Sequence, residues 1–142
     1  MKFDIEKARA QDAALDDAGI TDDEVREALD GYLQAAKFTG VTEDGSPLDG
    51  TDYAWSGDAQ DQARDDVIDF IVANVSAIRE FQRVTGHGWL QVGIDFSFTR
   101  NGHGAGFWDR GAGEVGIELT NVSTPYGEAI VYVADNGEMG FI

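Results

Sequence analysis

Apolar residues recur at three- and four-residue steps in the first part of the chain and at two-residue steps further on. Val25, Leu29, Tyr32, Leu33 and Ala36 fall on one helical face. Thr21-Asp22-Asp23-Glu24 is a capping box, with a hydroxyl at the cap and a carboxylate three residues on. Together they predict a helix over residues 22–38. A wider stripe of Val67, Ile68, Ile71, Val72, Val75, Ile78 and Phe81 predicts one long helix over 58–84, ended by Gly86. A third, alanine-rich helix is expected over 4–18, with a thin stripe (Ile5, Ala8, Leu15) and Gly19 as its stop. Residues 39–57 read as a loop, punctuated by glycines and Pro47 and pinned to the body by Tyr53 and Trp55.

Residues 89–99 alternate: Leu90, Val92, Ile94, Phe96 and Phe98 face one way and Gln91, Gly93, Asp95, Ser97 and Thr99 the other. Period two predicts a strand with one buried face. Further strands are expected at 130–134 and 138–142, with Asn136-Gly137 signalling a type I′ hairpin between them. Residues 114–124 fit a helix through Val115, Leu119 and Val122, or a strand through Val115, Ile117 and Leu119; the helix is favoured. The expected fold is a single α+β domain over 1–142, with N-terminal helices packed on a small, mainly antiparallel sheet of about three strands. An acidic, helical front (1–85) precedes a glycine-rich, strand-bearing back (86–142).

Composition narrows the function. Hydrophobic residues make up 42 % of the chain, enough for a core. The 27 acids against 10 bases leave a net charge of −17. That charge argues strongly against direct binding to nucleic acid, which needs cations to displace counterions, and against binding to anionic membranes. The front holds 20 acids and 8 bases, the back 7 and 2. The absence of cysteine excludes disulfides, thiolate catalysis and cysteine-ligated zinc. No window approaches the ~20 apolar residues of a membrane span. The start lacks the apolar stretch of a signal peptide, so a cytoplasmic location is expected.

The segment from Thr99 to Gly111 gathers His103, Asp109, Asn101, Arg100 and Arg110 on a glycine-rich loop. One reading is a ligand or catalytic pocket. His103 would exchange a proton near neutral pH and Asp109 would orient it. Arg100 or Arg110 would hold an anion, with Asn101 and Trp108 completing the site. The other reading is a structural network, in which the arginines pair with Asp109 or Asp95, Phe107 and Trp108 plug the sheet edge, and His103 donates to a carbonyl. The glycine spacing is not that of a dinucleotide loop, because Phe107 occupies the position of the third glycine. Neither a phosphate-binding lysine motif nor G-x-S-x-G occurs, and no cofactor is expected. His87 and His103 would end an extended strand ~30 Å apart or more, too far to share a metal. The acidic loop 43–52 does not fit the calcium-binding ladder, and no metal is expected.

The run Phe98-Thr99-Arg100-Asn101-Gly102-His103-Gly104-Ala105-Gly106-Phe107-Trp108-Asp109-Arg110-Gly111 resembles the signature of a family of small bacteriophage proteins. Leu119-Thr120, Tyr126-Gly127-Glu128 and the segment 132–137 resemble the rest of the pattern, over roughly residues 95–140. The resemblance implies a phage-encoded accessory protein acting in the host cytoplasm and a helix over 114–124. It assigns no catalytic residue.

The acidic front suggests what such a protein would bind. Asp58, Asp61, Asp65 and Asp69 line one helix face, with Asp66 beside them. A rigid row of carboxylates imitates a nucleic-acid backbone and would fill the basic channel of a host enzyme of restriction or CRISPR type. The expected function is therefore inhibition of a basic host protein by an acidic, non-enzymatic binder. The alternatives are a small-ligand or catalytic site on the 100–110 loop and a role in virion assembly. Plain solubility and adaptation to high salt account for the same acidity, since Asp outnumbers Glu 18 to 9 and Lys numbers only 3.

Overall fold

A computed structural model describes residues 4–142; residues 1–3, and with them the start of the chain, lie outside the described residues. The architecture is α+β. Six helices, among the described residues, are α1 (Ile5–Ala18), α2 (Asp22–Thr39), α3 (Gly57–Ala73), α4 (Val75–Thr85), α5 (Trp89–Arg100) and α6 (Glu114–Ser123). Three short strands are β1 (Ala54–Trp55), β2 (Val131–Val133) and β3 (Glu138–Phe141). Helical turns of 3₁₀ type occupy Phe107–Asp109 and Thr124–Tyr126.

The predicted caps form. Thr21 Oγ1 accepts from the Glu24 amide while the Glu24 carboxylate accepts from the Thr21 amide, so both halves of the capping box are present. Gly19 ends α1 in the left-handed conformation. Of the thin stripe of α1 only Leu15 is buried.

The expected helix 58–84 is two helices. Asn74 leaves helical geometry (φ −132°) and its side-chain amide donates to the Phe70 carbonyl. An asparagine that satisfies the backbone locally competes with the helix ladder, and here it wins. The apolar stripe continues through the break, with Val67, Ile68, Ile71, Ile78 and Phe81 buried.

Residues 89–99 are not a strand but α5, the central helix. Every second residue being apolar places Val92 and Phe96 four apart on one helical stripe and Leu90, Ile94 and Phe98 on another. The intervening Asp95, Ser97 and Thr99 are buried too. A helix enclosed on most sides has no polar face to betray its period. The expected three-stranded sheet therefore takes its third strand from elsewhere. Strand order is β1-β3-β2, with β2 and β3 antiparallel (Tyr132 opposite Gly140) and β1 parallel to β3 (Trp55 opposite Met139). Trp55, from the expected loop, stacks on Phe141 at 4.8 Å. Asn136 has no positive φ, so the β2–β3 connection is a three-residue loop ending on Gly137 rather than a type I′ turn.

α2 and α5 share the most extensive contact in the chain. They touch backbone to backbone. A Cβ on Gly93 would overlap the Ala28 carbonyl oxygen and lie 2.9 Å from the Tyr32 nitrogen; one on Gly31 would overlap the Leu90 carbonyl and lie 3.2 Å from the Ile94 nitrogen. Each helix supplies a glycine to the other's main chain. Around this crossing Phe96 stacks on Phe70 at 4.1 Å and meets Tyr32 and Tyr126 at 5.5 and 5.0 Å. α6, a helix as favoured, closes the far side with Leu119 buried against the core.

Gly93→Ala should cost about 3 kcal/mol or more, because backbone rather than a flexible side chain must yield. Gly57→Ala, at the start of α3 with nothing near the added methyl, should gain about 0.4–1 kcal/mol. Urea midpoints at unchanged m-value separate the two outcomes.

Candidate functional site

The 100–110 segment begins as the last residue of α5 and leaves it through a Schellman motif. The Gly102 amide donates to Thr99 O at 3.2 Å and the His103 amide to Phe98 O at 2.9 Å. Gly102 adopts φ +66°, which a side chain would resist. The motif commonly carries an apolar contact between the residue after the glycine and the helix's last turn. His103 fills that place, its ring 4.3 Å from the Phe98 ring. The imidazole is exposed and, among the described residues, makes no hydrogen bond with Asp109, which is also exposed. Trp108 is half exposed, and only Phe107 of the aromatic pair enters the core.

Both arginines turn away from this loop. Arg100 is buried and donates to Asp66 Oδ2 (2.6 Å), Tyr32 Oη (3.0 Å), Tyr126 O (3.0 Å) and Gly127 O (2.8 Å). It also packs against the Phe96 and Tyr126 rings. Burial pushes the Tyr32 hydroxyl above its ordinary value in spite of the guanidinium beside it. Arg110 donates twice to Asp95, at 2.7 Å from Nη2 and 3.1 Å from Nε to Oδ1. Asp95 is fully buried and also accepts from Gln91 Nε2 at 3.0 Å. The hydrogen bonds to Asp95 hold the Arg110 guanidinium above its usual range. Asn101 is likewise engaged, donating to Ser97 O and accepting from the Ala129 amide, both at 2.8 Å.

The five acids of α3 divide. Asp66 faces inward onto Arg100, Asp65 accepts from Lys7 and from Gln11 Nε2 across the α1–α3 contact, and Asp69 accepts from the Tyr126 hydroxyl. Burial first, and that bond to Asp69 next, raise the Tyr126 hydroxyl well above its ordinary value. Asp58 and Asp61 stand exposed. The row is thus partly bound up in holding α1 and the 124–126 turn. Other carboxylates are spread over the exposed faces of α1, α2, the 43–52 loop and α6.

A second hub, visible in the sequence only as half of a capping box, is Glu24. Its carboxylate accepts from Trp89 Nε1 at 2.8 Å and lies 3.5 Å from Arg79, which stacks on the Trp89 ring and donates to Gly19 O. It joins the starts of α2 and α5 to α4. The separation of His87 and His103 by a helix replaces the extended strand expected there: α5 spans ~18 Å at 1.5 Å per residue, and His87 packs on Phe81 while His103 sits on Phe98. Among the described residues no three His, Asp or Glu side chains converge as a metal requires.

Two surface hollows border the last turns of α5. One, of about 570 Å³, lies between α2, α5 and the 49–51 loop, with Phe38, Ile94 and Phe98 on its walls. The other, of about 330 Å³, lies beside His103, Asn101 and Glu128. Phe98 is common to both. Neither receives a guanidinium. Comparison with family models, with curated proteins and with solved structures returned no match.

Arg110→Gln should cost about 3–5 kcal/mol, because it strands a buried carboxylate, and Arg110→Lys should recover part of that loss. Thermal unfolding at matched pH measures both. Burial raises the Glu24 carboxyl, but the Thr21 and Trp89 hydrogen bonds and Arg79 outweigh it and hold the group below its ordinary value. Its stabilisation is therefore complete above the unfolded value of ~4.3 and fades as pH falls through the folded one. Glu24→Gln should cost about 1 kcal/mol at neutral pH and little at the acid end; urea midpoints across an acid pH series of both proteins show it.

Proposed function

We propose that this chain is a small phage-type accessory protein that binds a basic host protein and blocks it. A nucleic-acid-handling defence enzyme of restriction or CRISPR type is the partner the charge fits best. The supporting observation is the surplus of exposed carboxylate on a helical frame most of whose cations are engaged within the chain. Lys7, Arg26, Arg79, Arg83, Arg100 and Arg110 sit in ion pairs, and Lys37 donates to two backbone carbonyls. The −17 is what remains after all ten bases are counted, so carboxylate dominates the charge of the molecule. Such a surface attracts a cationic partner from a distance, accelerates encounter and loses that advantage as salt rises. Because Asp65, Asp66 and Asp69 have partners within the chain, recognition draws on the whole acidic surface, with Asp58 and Asp61 as the free part of the α3 row.

A small anion on the 100–110 loop is a weaker reading, since Arg100 and Arg110 both point into the body of the protein.

The test is retention of host proteins on the immobilised chain at low and at moderate salt. A basic, nucleic-acid-binding protein should be held at low salt, be released as salt rises, and lose its activity when the chain is added. Retention of nothing basic at either salt sinks the proposal.

A further inference from the structure

One exposed face of the molecule is apolar in a way the acidic surface does not account for. Leu90, Ile94 and Phe98 recur every four residues along the outer side of α5. Leu90 is 42 % exposed and Phe38, at the end of α2, is 57 % exposed. The Phe38 and Phe98 rings lie 6.5 Å apart, so the stripe of α5 and the end of α2 form one wall. One hollow lies against this wall, and a second, which shares Phe98 with it, is lined by His103 and by Ile130, itself half exposed.

Carboxylates stand at its edges. Asp49 lines the first hollow and Glu128 the second, and neither has an ion-pair partner among the described residues. Asp30 is exposed one turn before Gln34, which also lines the groove. Lys37, the cation among the lining residues, has its ammonium held by Thr51 O at 2.7 Å and Tyr53 O at 3.1 Å. An apolar floor with an anionic rim selects its occupant. A second copy would bring another −17 against the first, and an anionic membrane is repelled for the same reason. From Leu90 to Phe98 the stripe is ~12 Å long, the length over which a helix presents anchors at i, i+4 and i+7.

We infer that the apolar strip formed by the groove residues Phe38, Ile94 and Phe98 and by exposed Leu90 one turn before Ile94, with Asp49 on the groove and Asp30 and Glu128 near it, docks a cationic amphipathic helix of the partner protein. The inference rests on the proposed binding of a basic protein and names the surface and the element that it engages. Long-range attraction comes from the whole acidic body, and the groove supplies register.

The probe is a dye-labelled synthetic peptide with leucines at i, i+4 and i+7 and lysines on the remaining faces. It is compared with a scrambled peptide of the same composition by fluorescence anisotropy on the full chain. The amphipathic peptide should bind about tenfold more tightly than the scrambled one. The double variant Phe38→Ser/Leu90→Ser, altered only at exposed side chains, should lose about that tenfold while its circular dichroism is unchanged. Asp49→Asn/Glu128→Gln, which leaves the floor intact, should slow association and flatten the salt dependence. Equal binding of both peptides by parent and variants overturns the groove and leaves the charge-based function standing. No binding of either peptide overturns it as well, while retention of a basic host protein tests the function separately. A dimer in sedimentation that the Phe38→Ser/Leu90→Ser variant dissolves overturns it in favour of a second copy.

Discussion

The crossing of α2 and α5 on Gly31 and Gly93 is the constraint around which the rest is arranged. Two helices that meet backbone to backbone leave no room for side chains between them, so their flanking residues are forced outward on either side. On one side Tyr32 and Phe96 enter the core and meet Phe70 and Tyr126. On the other side Phe38, Ile94 and Phe98 line an open groove. The same close approach that builds the core therefore also builds the exposed apolar face. Core and surface share one cause.

Polar tethers hold α5 in that position at both ends and in the middle. Glu24 receives the Trp89 indole at its start, Asp95 binds Arg110 near its midpoint, and Arg100 reaches Tyr32, Asp66 and two carbonyls at its end. Buried charges of this kind contribute little net stability against a well-packed apolar alternative, but they cost several kcal/mol when half removed. They fasten α5 to α2, to α3 and to the loop that carries Arg110. The arginines of the glycine-rich loop act in the architecture of the molecule, and His103 acts as the apolar cap of a helix end.

Much of the front of the molecule was readable from its residues. The capping box at Thr21–Glu24, the stop at Gly19 and the stripe from Val67 to Phe81 each rest on local chemistry that no distant contact overrides. Asn74 was legible in principle, since a local competitor for backbone hydrogen bonds in mid-helix invites a break. Residues 89–99 were misleading for a physical reason. Asp95 and Thr99 hydrogen-bond to Arg110 and the Phe107 amide, groups that only the folded chain brings near, so their polarity says nothing about solvent. The Asn101-Gly102 pair after Arg100 was the signal of a helix end that a strand reading passed over. The pairing of Arg110 with Asp95 stood among the sequence's alternatives; Asp66 as the partner of Arg100 did not, because residues 34 apart in sequence announce no contact.

The Arg100 guanidinium also bears on how the chain comes apart. Its acceptors lie at residues 32, 66, 126 and 127, so they are drawn from the acidic front and from the glycine-rich back alike. The compositional seam near residue 85 is therefore spanned by a buried side chain. A fragment ending there would keep Tyr32 and Asp66 facing an empty position, and the complementary fragment would carry a cation with two carbonyls and no counter-charge. One guanidinium thus carries contacts to both compositional halves of the chain.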